Sequence, residues 1–533
     1  MTGAAQLLRQ ARPLQGDHLG DPVDLLVVHG RIAAVLPVGT RPDIGEVEVT
    51  DLGGRYVLPG FIESHGHPSR YAESFVDLDL RASTAPSIAN ITAAVADRAR
   101  ETPKGGWVRG SAWEESRLTD GRMPTRDDLD EVAPDVPVAL TRTCCHMLLA
   151  NSAALATAGI DESTPDPQGG HIVRDGAGRP TGLLQEKAMD LLQVPPPQEE
   201  DWRSAFVQAQ RHFAAWGVTT VHDMSAGPDQ LRRYARLARD GDLTLRLRPW
   251  LWAVTQMGMP GMLDEALAAG LTTGLGGDDV AIQGIKFVLD GAGSGRTAAL
   301  SCPYHDTDGT GILYLDDDHL TEMLGRALDG GFRLAIHAIG DAAIDQAIRS
   351  LRATCRDELI RGSRSRIEHA TYPTPDHLDA MVEYGLVAAS SVAFLHELGD
   401  SYLAAFGPER IAQIFPHRTF IDRGIVAPGN SDVPVTTGNP WLGISAAVNR
   451  TTSRGTVLDT EQNITLAEAL RAWTRDAAYA SFEEDRLGLI ASGAHADLAV
   501  YETDPFTVEH GALTELAPVA TYHAGRLVHG GVT

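Results

Sequence analysis

The chain has 533 residues, 43% hydrophobic and 22% charged, with 45 basic side chains against 71 acidic ones for a net charge of −26. That balance excludes nucleic acid and anionic membrane as main partners, since both demand a basic face, and the apolar content excludes disorder on any scale. The length exceeds one ordinary domain, although a barrel of about 250 residues with additions accommodates it.

The opening residues, MTGAAQLLRQARPLQGD, lack the apolar stretch of a secretory signal, and no run of about 18 apolar residues follows. Four scattered cysteines, Cys144, Cys145, Cys302 and Cys355, make neither a disulfide framework nor a zinc knuckle. A reduced, cytoplasmic protein is the expectation. Residues 1–55 alternate short apolar runs with Gly, Pro and Asp, as in DLLVVHGRIAAVLPVG, and predict part of a small β unit. Residues 484–533 repeat that pattern, so the two termini are expected to share one small β-sandwich.

Between them, eight short apolar runs read as buried parallel strands, mostly separated by helical patterns. They lie at 56–65, 218–224, 245–254, 282–291, 332–340, 365–371, 386–392 and 425–432. Thr374 before Pro375 predicts one helix start and Gly385 its end. Eight such alternations predict a (β/α)8 TIM barrel, comprising 56–71, with its first strand, and 201–483. Residues 72–200 are far too long for a single connection and predict an inserted subdomain over the barrel mouth, with a hinge at VPPPQEED.

In a strand, side chains two apart share a face, so His65 and His67 can reach one ion together. Among 19 histidines a chance pair is unremarkable. The other candidates change that: Lys286 lies in the fourth run, His337 in the fifth, His369 in the sixth and Asp432 at the end of the eighth. Most sit at or near the C-terminal strand edge, where barrel enzymes keep their sites. Buried unpartnered polar groups are too costly for all of these to be accidents.

The ordered set GFIESHGH, GIKFVLDG, AIHAIGD, RIEHA and GNSDVPV resembles the amidohydrolase superfamily, specifically its third subfamily, the YtcJ-like and N-substituted formamide deformylase-like metal-dependent hydrolases. GWVRGSAWEESRL, TRTCCHMLLANSAAL, GVTTVHD, GSGRTAAL and GLIASGAHADLAVY extend the likeness over nearly the whole chain. The resemblance implies that His65 and His67 bind the more buried of two ions and that His337 and His369 bind the second. Lys286 would be carboxylated to bridge them, because a free ammonium does not sit between two cations. With an unmodified Lys286, a one-metal site of His65, His67, His337 and Asp432 remains, and His369 is free to contact substrate. Imidazole and carboxylate donors without thiolate suit Zn2+, and other divalent metals are accepted. Asp432 is then the general base for a metal-activated hydroxide, passing the proton to the leaving nitrogen.

Further candidates for lining the substrate pocket are His146 and Trp113 in the insert, His222 at the end of the second strand, Arg296 in a glycine-rich loop and His396 after the seventh strand. The reaction expected from the resemblance is hydrolysis of a non-peptide C–N bond in a small amide, such as an N-substituted formamide or N-acyl amine. Cyclic amide opening or heterocycle deamination is the alternative. A non-catalytic regulatory role is the third reading, and a full ligand set argues against it. Relatives make a homodimer the assembly to look for.

Overall fold

The structure, a computed structural model, describes residues 5–532. At its centre is a parallel sheet of seven strands in sequential order: Phe61–Gly66, Val218–Ala226, Arg246–Trp252, Gly284–Val288, Leu334–Ala338, Arg366–His369 and Val387–Ser390. All of their residues are buried, as expected where helices cover the outside of a curved parallel sheet. The run at 425–432 forms no regular strand, but it nearly closes the ring. On one side Ala388 N and Ser390 N donate to Val426 O and Pro428 O; on the other, Asp432 N and His67 N exchange bonds with His65 O and Val433 O. Pro428 and Gly429 interrupt the β pattern there, which is why the eighth stave pairs by isolated bonds and one bridge. The result is a mixed α/β fold around a nearly closed parallel barrel.

The first apolar run is not one strand. It breaks at Gly60, where a Cβ would come within 2.2 Å of Thr219 Oγ1. Tyr56–Pro59 belongs to a separate nine-stranded sheet, and only Phe61–Gly66 enters the barrel. That nine-stranded sheet draws on both ends of the chain: Leu498–Tyr501 pairs antiparallel with Tyr56–Pro59, and Ala520–His523 and Arg526–Gly530 follow outward. Its core joins Leu8, Leu25 and Val57 to Leu498 and Val500.

Between Leu78 and Glu186 lies a third, six-stranded mixed sheet with its own core. The stretch 194–198 is extended, and the acidic residues after it form the first turn of the helix Glu199–Ala215, complementing its dipole. The helix Pro375–Tyr384 starts at Thr374, whose Oγ1 accepts from His377 N, and stops at Gly385 with φ +61°. Among the described residues, no helix is long and apolar enough to cross a membrane.

Candidate metal centre

Glu63, His65 and His67 follow one another at spacing two from the first barrel strand to its C-terminal edge. The His65 ring is 1% exposed; its Nδ1 lies 2.5 Å from Glu368 Oε2 and its Nε2 lies 3.5 Å from Asp432 Oδ1. His67 Nε2 lies 3.0 Å from the same Asp432 oxygen, and its Nδ1 lies 2.8 Å from Ser225 Oγ. Burial, reinforced by the charge of Lys286, holds the His65 imidazole well below the usual histidine range, so it is neutral and can offer a lone pair. The contact with Glu368 fixes the proton on Nδ1 and leaves Nε2 as the free donor.

The Asp432 side chain supplies a direct test of whether a cation fits. Oδ1 is buried, with two imidazole nitrogens within 3.5 Å, yet it accepts no hydrogen bond. One donor atom from each of His65, His67 and Asp432 lies within 4.8 Å of the others. Zinc bonds of about 2.0–2.2 Å hold donors within about 4.4 Å of one another, and Asp432 Oδ1 lies 3.5 and 3.0 Å from the two imidazole nitrogens. A cation among the three would satisfy the orphaned oxygen, so the donor set fits a divalent ion.

A second pair of imidazoles stands beside the first. His369 Nε2 and His337 Nδ1 face each other at 3.0 Å, while His369 Nδ1 lies 2.7 Å from Ser391 Oγ and His337 Nε2 lies 3.2 Å from Gly291 O. The His369 and His65 rings are 4.6 Å apart. Burial lowers the pKa of both His337 and His369. Lys286 is 3% exposed, and its Nζ lies 3.5 Å from His65 Nε2. Burial pulls its ammonium down to about 8. Two residues of the centre have left-handed backbone, His369 with φ +65° and Asp432 with φ +54°. Such conformations in non-glycine residues concentrate at functional sites. At His369 the turn is what the site needs: simple alternation would send it to the opposite face from Glu368, out toward the helices.

Several residues that hold the centre went unread in the sequence. Arg366 forks onto Glu368, Nε to Oε1 at 2.7 Å and Nη2 to Oε2 at 2.8 Å, with both side chains fully buried. Their spacing of two within the RIEH strand is a signal that was available. Glu63 accepts from Ser431 Oγ at 2.6 Å and so ties the first strand to the segment carrying Asp432. Ser391 donates onward to Asn430 Oδ1 at 2.7 Å.

The other candidates fall in varied places. His146 stands over the second pair: its ring lies 5.6 Å from that of His337, and Nδ1 lies 2.7 Å from Glu186 Oε2, to which the Tyr314 hydroxyl also donates. Trp113 does not line the cavity; it is fully buried in the core of the insert, and its indole N–H donates to Leu140 O. His222 is sealed below the site, with Nδ1 3.1 Å from Arg366 Nη1. Arg296 is ion-paired with Asp306 and borders a separate hollow with Ser401 and Arg454. His396 sits in the first turn of the helix Phe394–Arg410, where its carbonyl accepts from Ser453 N, and it lines neither hollow. None of these four side chains lines the cavity beside the centre, although all were expected to.

A cavity of about 480 Å³ lies between the insert and the barrel and borders the centre at Ser225, which touches His67, and at Pro434, two residues after Asp432. That volume suits a modest organic molecule. Tyr71, Trp216, Met189 and Leu192 give it an apolar wall. Cys145 faces it, whereas Cys144 is buried in the core of the insert.

Residues 48–529 match the amidohydrolase family, and the chain belongs to it. It is 32% identical to YtcJ of Bacillus subtilis over 91% of each chain. It is 30% identical to the N-substituted formamide deformylase of Arthrobacter pascens over 94% of each. Among solved structures, a metal-dependent hydrolase from Pyrococcus horikoshii superposes with a TM-score of 0.77 at 26% identity, covering 95% of this chain and 99% of that one. The protein is therefore a metal-dependent hydrolase of the amidohydrolase superfamily.

Proposed function

We propose that the protein hydrolyses the C–N bond of a small non-peptide amide, such as an N-substituted formamide or N-acyl amine, releasing a carboxylate and an amine. The observation that carries this reading is the convergence of two imidazoles and one unsatisfied carboxylate oxygen beside a cavity of substrate size. His65, His67, Lys286, His337, His369 and Asp432 would hold two zinc ions in a (β/α)8 barrel, with Lys286 carboxylated between them. A fully buried lysine whose pKa falls to about 8 keeps a share of free amine near neutrality, the form that carboxylation requires. A divalent ion held there polarises the amide carbonyl and makes water acidic enough to attack it near neutral pH.

The remaining work falls to the side chains. The Asp432 carboxylate accepts the proton of the attacking water as the new C–O bond forms, then returns it to the nitrogen as the C–N bond breaks. Glu368 and Ser225 keep the His65 and His67 rings aimed at the shared point. The insert narrows solvent access over the cavity, which strengthens every electrostatic contact inside.

The test is a panel of formamides, N-acyl amines, lactams and aminated heterocycles assayed with zinc-loaded and chelator-stripped protein. Turnover of an acyclic amide that disappears on stripping and returns with zinc is the expected result. Turnover confined to lactams or heterocycles would move the assignment to cyclic amide opening or deamination, and no metal-dependent turnover at all would overturn it.

A further inference from the structure

Five arginines line the cavity, and four of them are already engaged. Arg81 is forked onto Asp79, with Nε and Nη2 each at 2.9 Å from a carboxylate oxygen. Arg109 spans Glu73 at 3.3 Å and Asp77 at 3.0 Å. Arg142 is held by Glu115 at 2.8 Å and Glu114 at 3.1 Å. Arg117 donates to the Glu397 carbonyl, and the Glu397 carboxylate accepts from Thr437 N at 2.7 Å. Arg70 differs from all of these. Its side chain is half-buried in the cavity wall and, among the described residues, makes neither a hydrogen bond nor an ion pair.

Its position relates it to the centre. Arg70 lies in the short helix Pro68–Glu73, three residues after His67, so the chain leaving the metal-binding strand turns the guanidinium onto the cavity wall. The Cys145 thiol lies on the same wall, and so does the Asp77 carboxylate that Arg109 already holds. A guanidinium carries five donors in a planar fork that matches a carboxylate, and leaving it half-buried without an acceptor is costly. In a chain of net charge −26, an uncommitted cation beside the reacting centre has an evident use.

We propose that Arg70 binds an anionic group on the substrate, so that the preferred molecules are amides carrying a carboxylate near the scissile bond, with an apolar remainder against Tyr71, Trp216 and Met189. Arg70 is thus a specificity-determining residue. This inference rests on the amide hydrolase reading for the identity of the scissile bond, but not for the anion contact itself.

The test uses a matched pair, N-acetylphenylalanine (each enantiomer) and N-acetylphenethylamine, which differ only by the carboxylate. Binding of each to the zinc-loaded full-length protein is measured by calorimetry, with Arg70→Met and Arg70→Lys alongside. Wild type is expected to favour one enantiomer of the acid over the neutral amide by about tenfold or more, the worth of a charge-assisted contact. Arg70→Met should bring that ratio to about one, and Arg70→Lys should retain part of it because a point charge lacks the fork. Equal affinities in wild type, an undiminished ratio in Arg70→Met, or no binding of either compound would overturn the inference. If the ratio behaves as expected but neither amide is cleaved, the anion site stands and the hydrolase reading for such amides falls.

Discussion

Asp432→Asn is expected to cut turnover about 10²- to 10⁴-fold, the usual worth of a positioned general base, while the protein still binds metal. The substitution keeps an oxygen where Oδ1 lies 3.0 Å from His67 Nε2, so a donor for the cation survives. What it loses is the ability to take a proton from water and return it to the leaving nitrogen. Activity and metal content must therefore be measured on the same samples. Unchanged turnover would remove Asp432 from the proton path; lost metal would assign it to ligation first.

Arg366→Met should have the largest effect on stability, a loss of about 3–5 kcal/mol in denaturant unfolding, because it strands the Glu368 carboxylate in the barrel interior. Both side chains are 0% exposed, and Arg366 also donates to Ser64 O at 2.9 Å. The variant should further weaken metal binding, by about 10–100-fold, since Glu368 is what orients His65. Adding Glu368→Gln to Arg366→Met should recover part of the stability but not the metal affinity. A single variant as stable as wild type would mean that Glu368 is accommodated without its cation.

Much of the centre was legible because ligands at strand ends leave a pattern. Polar residues at or near the ends of apolar runs mark the C-terminal edge of a parallel sheet: His65, His369 and Asp432 lie at or near the ends of theirs, and Lys286 and His337 stand out within apolar strands. What supports them was harder to read. Glu368 and Arg366 looked like ordinary polar neighbours in RIEH, because only the fold sets Glu368 against His65. Glu186 meets His146 through antiparallel pairing of Met147–Ala150 with Pro180–Glu186 inside the insert, a contact between residues 40 apart that local pattern does not record.

Trp113 misled for the opposite reason: residue type alone does not say whether a side chain faces a cavity or a core. The break at Gly60 was hidden by the continuity of YVLPGFIESH, since apolar character persists where one sheet hands the chain to another. The eighth run carries Asp432 at the expected place, yet its Pro and Gly keep it from being a regular strand.

Arg70 lay outside every motif. An uncommitted guanidinium is recognised only after all its neighbours have been assigned their partners, which needs coordinates.

A metal is expected where His65, His67 and Asp432 converge. Anomalous diffraction from zinc-loaded crystals tests it most directly. The expected result is a peak between His65 Nε2, His67 Nε2 and Asp432 Oδ1, and a second beside His337 and His369 with continuous density from Lys286 between them. A single peak beside an unmodified Lys286 would reduce the centre to one metal. No peak at the His65–His67–Asp432 convergence would contradict the account.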